Sequence, residues 1–91
     1  MAPVINHERA AQRFVSHENG AESVLNYSLR DGVMSIDHTG VPAQMRGRGL
    51  AGALVQSALT AARTEGWKVV PACSYAASWM EQHPDFNDLR A

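Results

Sequence analysis

Two dipeptides constrain this chain most: Asn19-Gly20 and Asp31-Gly32, which bracket residues 21–30. Each is a hairpin-turn pair of the kind whose central positions both need positive φ. Glycine adopts that conformation freely, and Asn or Asp tolerates it. Between the turns, Leu25, Tyr27 and Leu29 alternate with Asn26 and Ser28, the period of a half-buried strand. A strand that turns back tightly at both ends has antiparallel neighbours, here residues 12–17 and 33–41. The first half therefore predicts an antiparallel meander. Val4 and Ile5 are placed to begin another short strand, while residues 7–13 suit a helix equally well.

The pattern changes at Val41-Pro42. A loop of Ala43, Gln44 and Met45 leads into glycines, and then Leu50, Leu54, Val55, Ala58, Leu59 and Ala62 recur at helical spacing. Gly66 is placed to end that helix, with Arg63 in its last turn opposing the dipole. Lys68-Val69-Val70-Pro71 reads as a short strand. Ser74 is placed to cap a second helix over residues 75–82, which Pro84 stops. Strands followed by helix, strand and helix predict an α+β domain. It closes with a βαβ unit made of residues 33–41, the long helix and residues 68–71. At 91 residues the chain has room for one small domain, residues 1–91.

A net charge of −1 and a pI near 6.4 argue against a general nucleic-acid binder, which carries a basic face. Cys73 is the one cysteine and has no internal disulfide partner. No apolar run approaches the roughly 18 residues of a membrane span, and no N-terminal apolar signal core precedes the first strand. A soluble, cytoplasmic protein with no membrane partner is expected. No His, Cys or carboxylate set has metal-ligand spacing, so no metal is expected.

The chemistry concentrates at Arg46-Gly47-Arg48-Gly49-Leu50-Ala51-Gly52. Glycines let backbone amides approach a ligand, and the following helix aims its free N–H groups and positive dipole end at the same place. Two arginines add fork-shaped cationic donors. Together these favour a phosphate. Gly47-x-Gly49-x-x-Gly52 formally matches the dinucleotide fingerprint, but a polar loop separates it from its strand. Pro71-Ala72-Cys73 also stands where the ribose-binding acid belongs. The nucleoside-triphosphate loop is excluded because Ala53-Leu54 replaces its Lys-Ser/Thr pair.

A third frame fits. Arg46-x-x-Gly49-x-Ala51 resembles the Q/R-x-x-G-x-G/A motif with which GCN5-related N-acetyltransferases hold the pyrophosphate of acetyl-CoA. The ordered set of His38-Thr39-Gly40-Val41-Pro42, Arg46 to Ala51, Lys68-Val69-Val70-Pro71-x-Cys73-x-Tyr75 and His83-Pro84 is similar to the small YjdJ-like branch of that superfamily. The resemblance runs from Tyr27 onward and implies a minimal acyl-CoA N-acyltransferase fold. It implies that the backbone of Thr39, Gly40 and Val41 holds the pantetheine arm. Arg46, Gly47, Arg48, Gly49, Leu50 and Ala51 would hold the pyrophosphate, with the acetyl thioester directed toward Cys73. Full-size members carry helices after the first strand that help build the acceptor site, and this chain has little room for them. Gly40 stands where some small members place an acid.

Cys73 is the first catalytic candidate. A thiolate at a helix start is an acyl acceptor, set against the ordinary fate of a free cysteine as a small buried hydrophobe. Tyr75 is a candidate proton donor to the departing CoA thiolate. His38 alternates with Met34 and Ile36, so it should share their apolar face, as a hydrogen-bonded core histidine or a general base. Asp37 falls on the opposite face with Ser35 and Thr39. His83 suits a helix C-terminus, and Trp67 and Trp79 suit packing or a dimer surface. The resulting expectation is an acetyl-CoA-dependent N-acetyltransferase acting on an unidentified amine, as a monomer or weak homodimer. The alternative is a CoA-binding sensor or interaction module without efficient turnover.

Overall fold

Both hairpin turns form with the backbone their residues favour: φ is 51° at Asn19 and 73° at Gly20, and 52° at Asp31 and 75° at Gly32. The computed structural model describes residues 3–91. Its strands are β1 (Asn6–Glu8), β2 (Arg13–Glu18), β3 (Ala21–Arg30), β4 (Val33–Gly40) and β5 (Lys68–Pro71), arranged in that order in one sheet. The first four pair antiparallel, and β4 pairs with β5 in parallel from Val33↔Lys68 to Ile36↔Pro71.

The N-terminal strand lies slightly later than Val4-Ile5, and residues 7–13 do not form a helix. His7 stacks on Phe14 with ring centroids 4.0 Å apart and shares a hydrogen bond with Tyr27 Oη at 2.7 Å. Those tertiary contacts draw the segment into the sheet over a weak local preference. The return to β2 is a tight turn, in which Gln12 N donates to Arg9 O at 3.1 Å.

The parallel crossover is α1 (Leu50–Glu65), which Gly66 ends with φ 76°. Its buried Leu54, Val55, Ala58, Leu59 and Ala62 pack with Phe14, Leu25, Tyr27, Met34, Ile36 and Val69 of the sheet. Burying each large aliphatic side chain stabilises the fold by about 1.5–3 kcal/mol. The second helix, α2 (Ser74–Gln82), adds Ala76 and Met80 to the same core. A 3-10 turn over Pro84–Leu89 then brings Leu89 into it, and Arg90 forms a bridge with Val69. Both helices thus share one side of the sheet. The other side presents exposed or half-buried residues such as Asn26, Ser28, Ser35 and Asp37.

Two irregularities in β4 position everything that follows. Its pairing with β5 stops at Ile36, while β4 itself runs on to Gly40. A notch opens along the unpaired stretch. The register with β3 also slips there: Tyr27 pairs with Ile36 and Asn26 with His38, leaving Asp37 as a bulge. Beyond the bulge the alternation changes phase. Thr39 pairs with the buried Leu25 on the helix side, and His38 pairs with Asn26 on the open side.

Candidate active site

The glycine-rich turn is anchored by Met45, which is buried with Leu50 and Ala21 in a small second core. Met45 N and Arg46 N donate to Pro42 O and Ala43 O, so the expected loop tightens into a 3-10 turn. Gly47 and Gly49 then take φ of 80° and 76°. A Cβ on either would meet nothing within 4 Å, so the left-handed backbone, not lack of space, calls for glycine.

Gly49 is also the N-cap of α1, and no side chain caps that end. The first helical bond runs from Ala53 N to Gly49 O at 3.0 Å. Among the described residues, the amides from Gly47 to Gly52 have no acceptor. Both flanking guanidinium groups are exposed and outside any ion pair among the described residues. Arg46 Nε donates to Val41 O at 3.2 Å, and Arg48 has no hydrogen bond there. Arg46 and the glycines border a cleft of about 240 Å³ with Val41, Leu50, Ala51 and Tyr75 on its walls, whereas Arg48 lines a separate recess with Pro3 and Glu18.

Tyr75 reaches this cleft because residue 52 lacks a side chain. A Cβ there would lie 3.1 Å from Trp79 Nε1 and 3.5 Å from Tyr75 Oη. The Tyr75 hydroxyl consequently sits beside the first turn of α1. Trp79 stacks on His83 with centroids 3.6 Å apart, and the His83 Nδ1–H donates to Trp79 O. Trp67 packs beside Tyr27 in the core.

Cys73 occupies the notch between β4 and β5. Its N–H donates to Ile36 O at 2.9 Å, two residues past the end of β5. Its Sγ accepts from Ala76 N at 3.3 Å and lies 3.6 Å from Thr39 Oγ1. Cys73, not Ser74, is therefore the N-cap of α2. The chain must stay extended through residue 73 to bond Ile36, which moves the cap one position ahead of the expected serine.

His38 is not a core histidine. Uninterrupted alternation predicted that face, and the Asp37 bulge sends it to the opposite one, exposed. Thr39, expected there beside Asp37, takes its place near Cys73. Asp37 accepts hydrogen bonds from Ser28 Oγ at 2.6 Å and Ser35 Oγ at 2.7 Å on the open side. His38 leans along the strand, so that a Cβ on Gly40 would lie 2.9 Å from its Nε2.

Burial, then repulsion from Arg9, holds His7 below its usual value, and burial raises Tyr27. The hydrogen bond from Arg63 lowers Asp88 at the far end of α1. No group of three or more His, Cys, Asp or Glu side chains gathers into a metal-holding set among the described residues. No helix there is long and apolar enough to cross a membrane.

Comparison with known proteins bears on the family and the fold. A family model described as GCN5-related N-acetyl-transferase matches residues 13–89. The chain is also similar to the solution structure of a GCN5-like protein from Staphylococcus aureus, proposed as an N-acetyltransferase. The likeness has a TM-score of 0.75 at 26% identity and covers 97% of this chain and 87% of that one.

Proposed function

This chain belongs to the GCN5-related N-acetyltransferase family, and from that membership we propose that it moves the acetyl group of acetyl-CoA onto an amine. One observation carries the reading: amides at the start of α1 that have no acceptor among the described residues border, with Arg46, the cleft that Tyr75 also lines, and Arg48 stands beside them in no ion pair there. An uncapped helix start with arginines is suited to a pyrophosphate. The donor's phosphates are assigned to Arg46, Gly47, Arg48, Gly49, Leu50 and Ala51.

The β4 backbone supports the rest of the donor's path. Gly32 O accepts from Lys68 N and Ile36 O from Cys73 N, so β4 residues in that phase turn their peptide groups toward β5. Carried across the bulge, the same phase turns those of Thr39 into the notch, where β5 offers no partner. Amides of a pantetheine arm would pair there, alongside Gly40 and Val41. The residues present thus fit the donor from phosphate to thioester.

Cys73 is assigned as acyl acceptor. Its thiolate attacks the acetyl carbon, a bond to Sγ forms, the bond to the CoA sulfur breaks, and the departing thiolate takes up a proton. The amine then attacks the cysteine thioester: the N–C bond forms, the C–Sγ bond breaks, and the proton that the nitrogen loses passes to Sγ or solvent. Tyr75 stands beside the α1 amides, a location suited to donating its hydroxyl to the phosphates. A binding module without efficient turnover is the second reading, favoured by the departure of His38 from the side of the sheet that holds Cys73.

Release of free CoA across a panel of amines tests turnover, and titration calorimetry with acetyl-CoA tests binding. Heat on binding with no CoA release for any amine supports the second reading. No heat at millimolar donor removes both. Intact mass after incubation with acetyl-CoA tests the cysteine: the wild type gains one acetyl group and Cys73→Ala gains none.

A further inference from the structure

The two arginines of the glycine turn do not share a recess. Arg46 borders the cleft at the start of α1, whereas Arg48 lines a hollow of about 220 Å³ with Pro3, Glu18 and Leu50. The buried Leu50 lines both, so the two adjoin at its side chain.

Packing brings Glu18 to this place. It ends β2, and its parity with Phe14 and Ser16 puts it on the side of the sheet that holds the helices. Its partner across the turn is Ala21, which is buried with Met45 and Leu50. That small core docks the β2–β3 turn against the glycine turn, and a carboxylate therefore stands in the same hollow as a guanidinium. The two form no ion pair with each other, and among the described residues neither is paired elsewhere.

We infer that this hollow receives a phosphorylated ribose, a sugar carrying a phosphate and, on the neighbouring carbon, a free hydroxyl. The inference rests on the acetyl-CoA reading above and adds a phosphate site separate from that of the pyrophosphate. The residue pair selects the group. A simple anion is opposed by the charge of Glu18, and a cation by that of Arg48. A neighbouring phosphate and hydroxyl satisfy both: the guanidinium donates its fork to phosphate oxygens, and the hydroxyl donates to the carboxylate. Coenzyme A carries that arrangement, a 3′-phosphate beside a 2′-hydroxyl, on the ribose attached to its pyrophosphate.

The reach agrees. Arg46 and Arg48 are two residue steps apart, at most about 7 Å along the chain, and a single ribose spans the phosphates that they hold. Arg48 thus leaves the pyrophosphate to Arg46 and the α1 amides, and acts as a specificity residue for the far end of the donor. The two larger hollows do not compete for this role. Neither the groove of about 530 Å³ between β1 and α1 nor the recess of about 560 Å³ beside the β3–β4 turn has a residue of the glycine turn in its lining.

Titration calorimetry with CoA and with 3′-dephospho-CoA tests the assignment, and neither ligand carries an acetyl group to turn over. The wild type should bind CoA about five- to tenfold more tightly, as expected for a charged hydrogen bond at an exposed site. Arg48→Gln should bring the two ligands to the same affinity by weakening CoA alone. Arg46→Gln should weaken both and keep their ratio. Glu18→Ala should weaken 3′-dephospho-CoA a few-fold, because that ligand retains the hydroxyl. The ratio is read within each variant, so a general loss of stability does not imitate the result. Equal affinities in the wild type would overturn the inference and leave the donor reading standing. A ratio that survives Arg48→Gln, or unchanged binding of 3′-dephospho-CoA to Glu18→Ala, would overturn it as well. If neither ligand binds the wild type, the donor reading falls together with the ribose site.

Discussion

The two helices begin differently. α2 starts with a residue whose side chain accepts from its own first turn, Cys73 Sγ from Ala76 N. α1 starts with a left-handed glycine and leaves its first amides with no side-chain acceptor. A side-chain cap is worth about 0.5–2 kcal/mol, and α1 forgoes it. Both ends face the same region, since Tyr75 of α2 lines the cleft at the start of α1. The difference shows which end is completed within the chain and which is suited to a ligand. It also gives Cys73 a structural duty in addition to its proposed chemical one.

Substitutions can break that contrast. The largest effect is expected from Arg46→Ala combined with Arg48→Ala, which should weaken acetyl-CoA by about 1–3 kcal/mol in calorimetry without changing the melting temperature appreciably. Unchanged affinity would confine the phosphate site to backbone amides. Gly49→Val follows. Forcing a branched side chain to φ 76° should cost about 1–2 kcal/mol in urea unfolding, and the turn should lose donor affinity with it. Full affinity in a folded Gly49→Val protein would show that the left-handed cap is dispensable.

At the other helix, Cys73→Ala should cost about 0.5–1 kcal/mol by removing the cap, whereas Cys73→Ser keeps an acceptor and should retain stability. Neither variant should accumulate an acetyl group. Parallel urea melts and intact masses separate the two duties, and equal stability of all three proteins would deny the cap any weight.

The smallest effect comes from a control remote from both helix starts. His7 has its pKa lowered in the folded state from 6.5, so below that pH the unfolded chain binds a proton that the folded one resists. Stability should be fullest above 6.5 and decline as pH falls toward the folded-state pKa, where the decline ends. His7→Gln should flatten that slope in thermal melts. A slope unchanged by His7→Gln would assign it to other groups.

Much of this was legible from local chemistry. Asn19-Gly20 and Asp31-Gly32 define their turns through φ alone, and β5 spans the predicted Lys68–Pro71. The helical spacing of Leu50 to Ala62 places the α1 core face because a 16-residue helix averages out local accidents. The glycine turn was readable because its backbone demands a residue type. The bulge was not. Nothing in Ser35-Ile36-Asp37-His38 marks the one residue that β3 leaves unpartnered, so a period of two counted from Met34 placed both His38 and Thr39 on the wrong sides. The sulfur cap was hidden for a related reason. Ser74 is the better capping residue by type, and only the Cys73–Ile36 bond across strands shows that the helix begins after residue 73. The 3-10 turn over Pro84–Leu89 likewise depends on Leu89 finding the core and Arg90 finding Val69.

The unpaired Asp37 has a consequence for how relatives of this chain are read. Strand chemistry here is a matter of odd and even count, and the bulge takes one residue out of that count. A relative that paired the residue at this position regularly with β3 would keep its sheet, helices and glycine turn, yet exchange the side chains on either side of β4. Imidazole would meet thiol, and the hydroxyl would look outward. An alignment without a gap would then pair two proteins whose reactive groups face opposite ways.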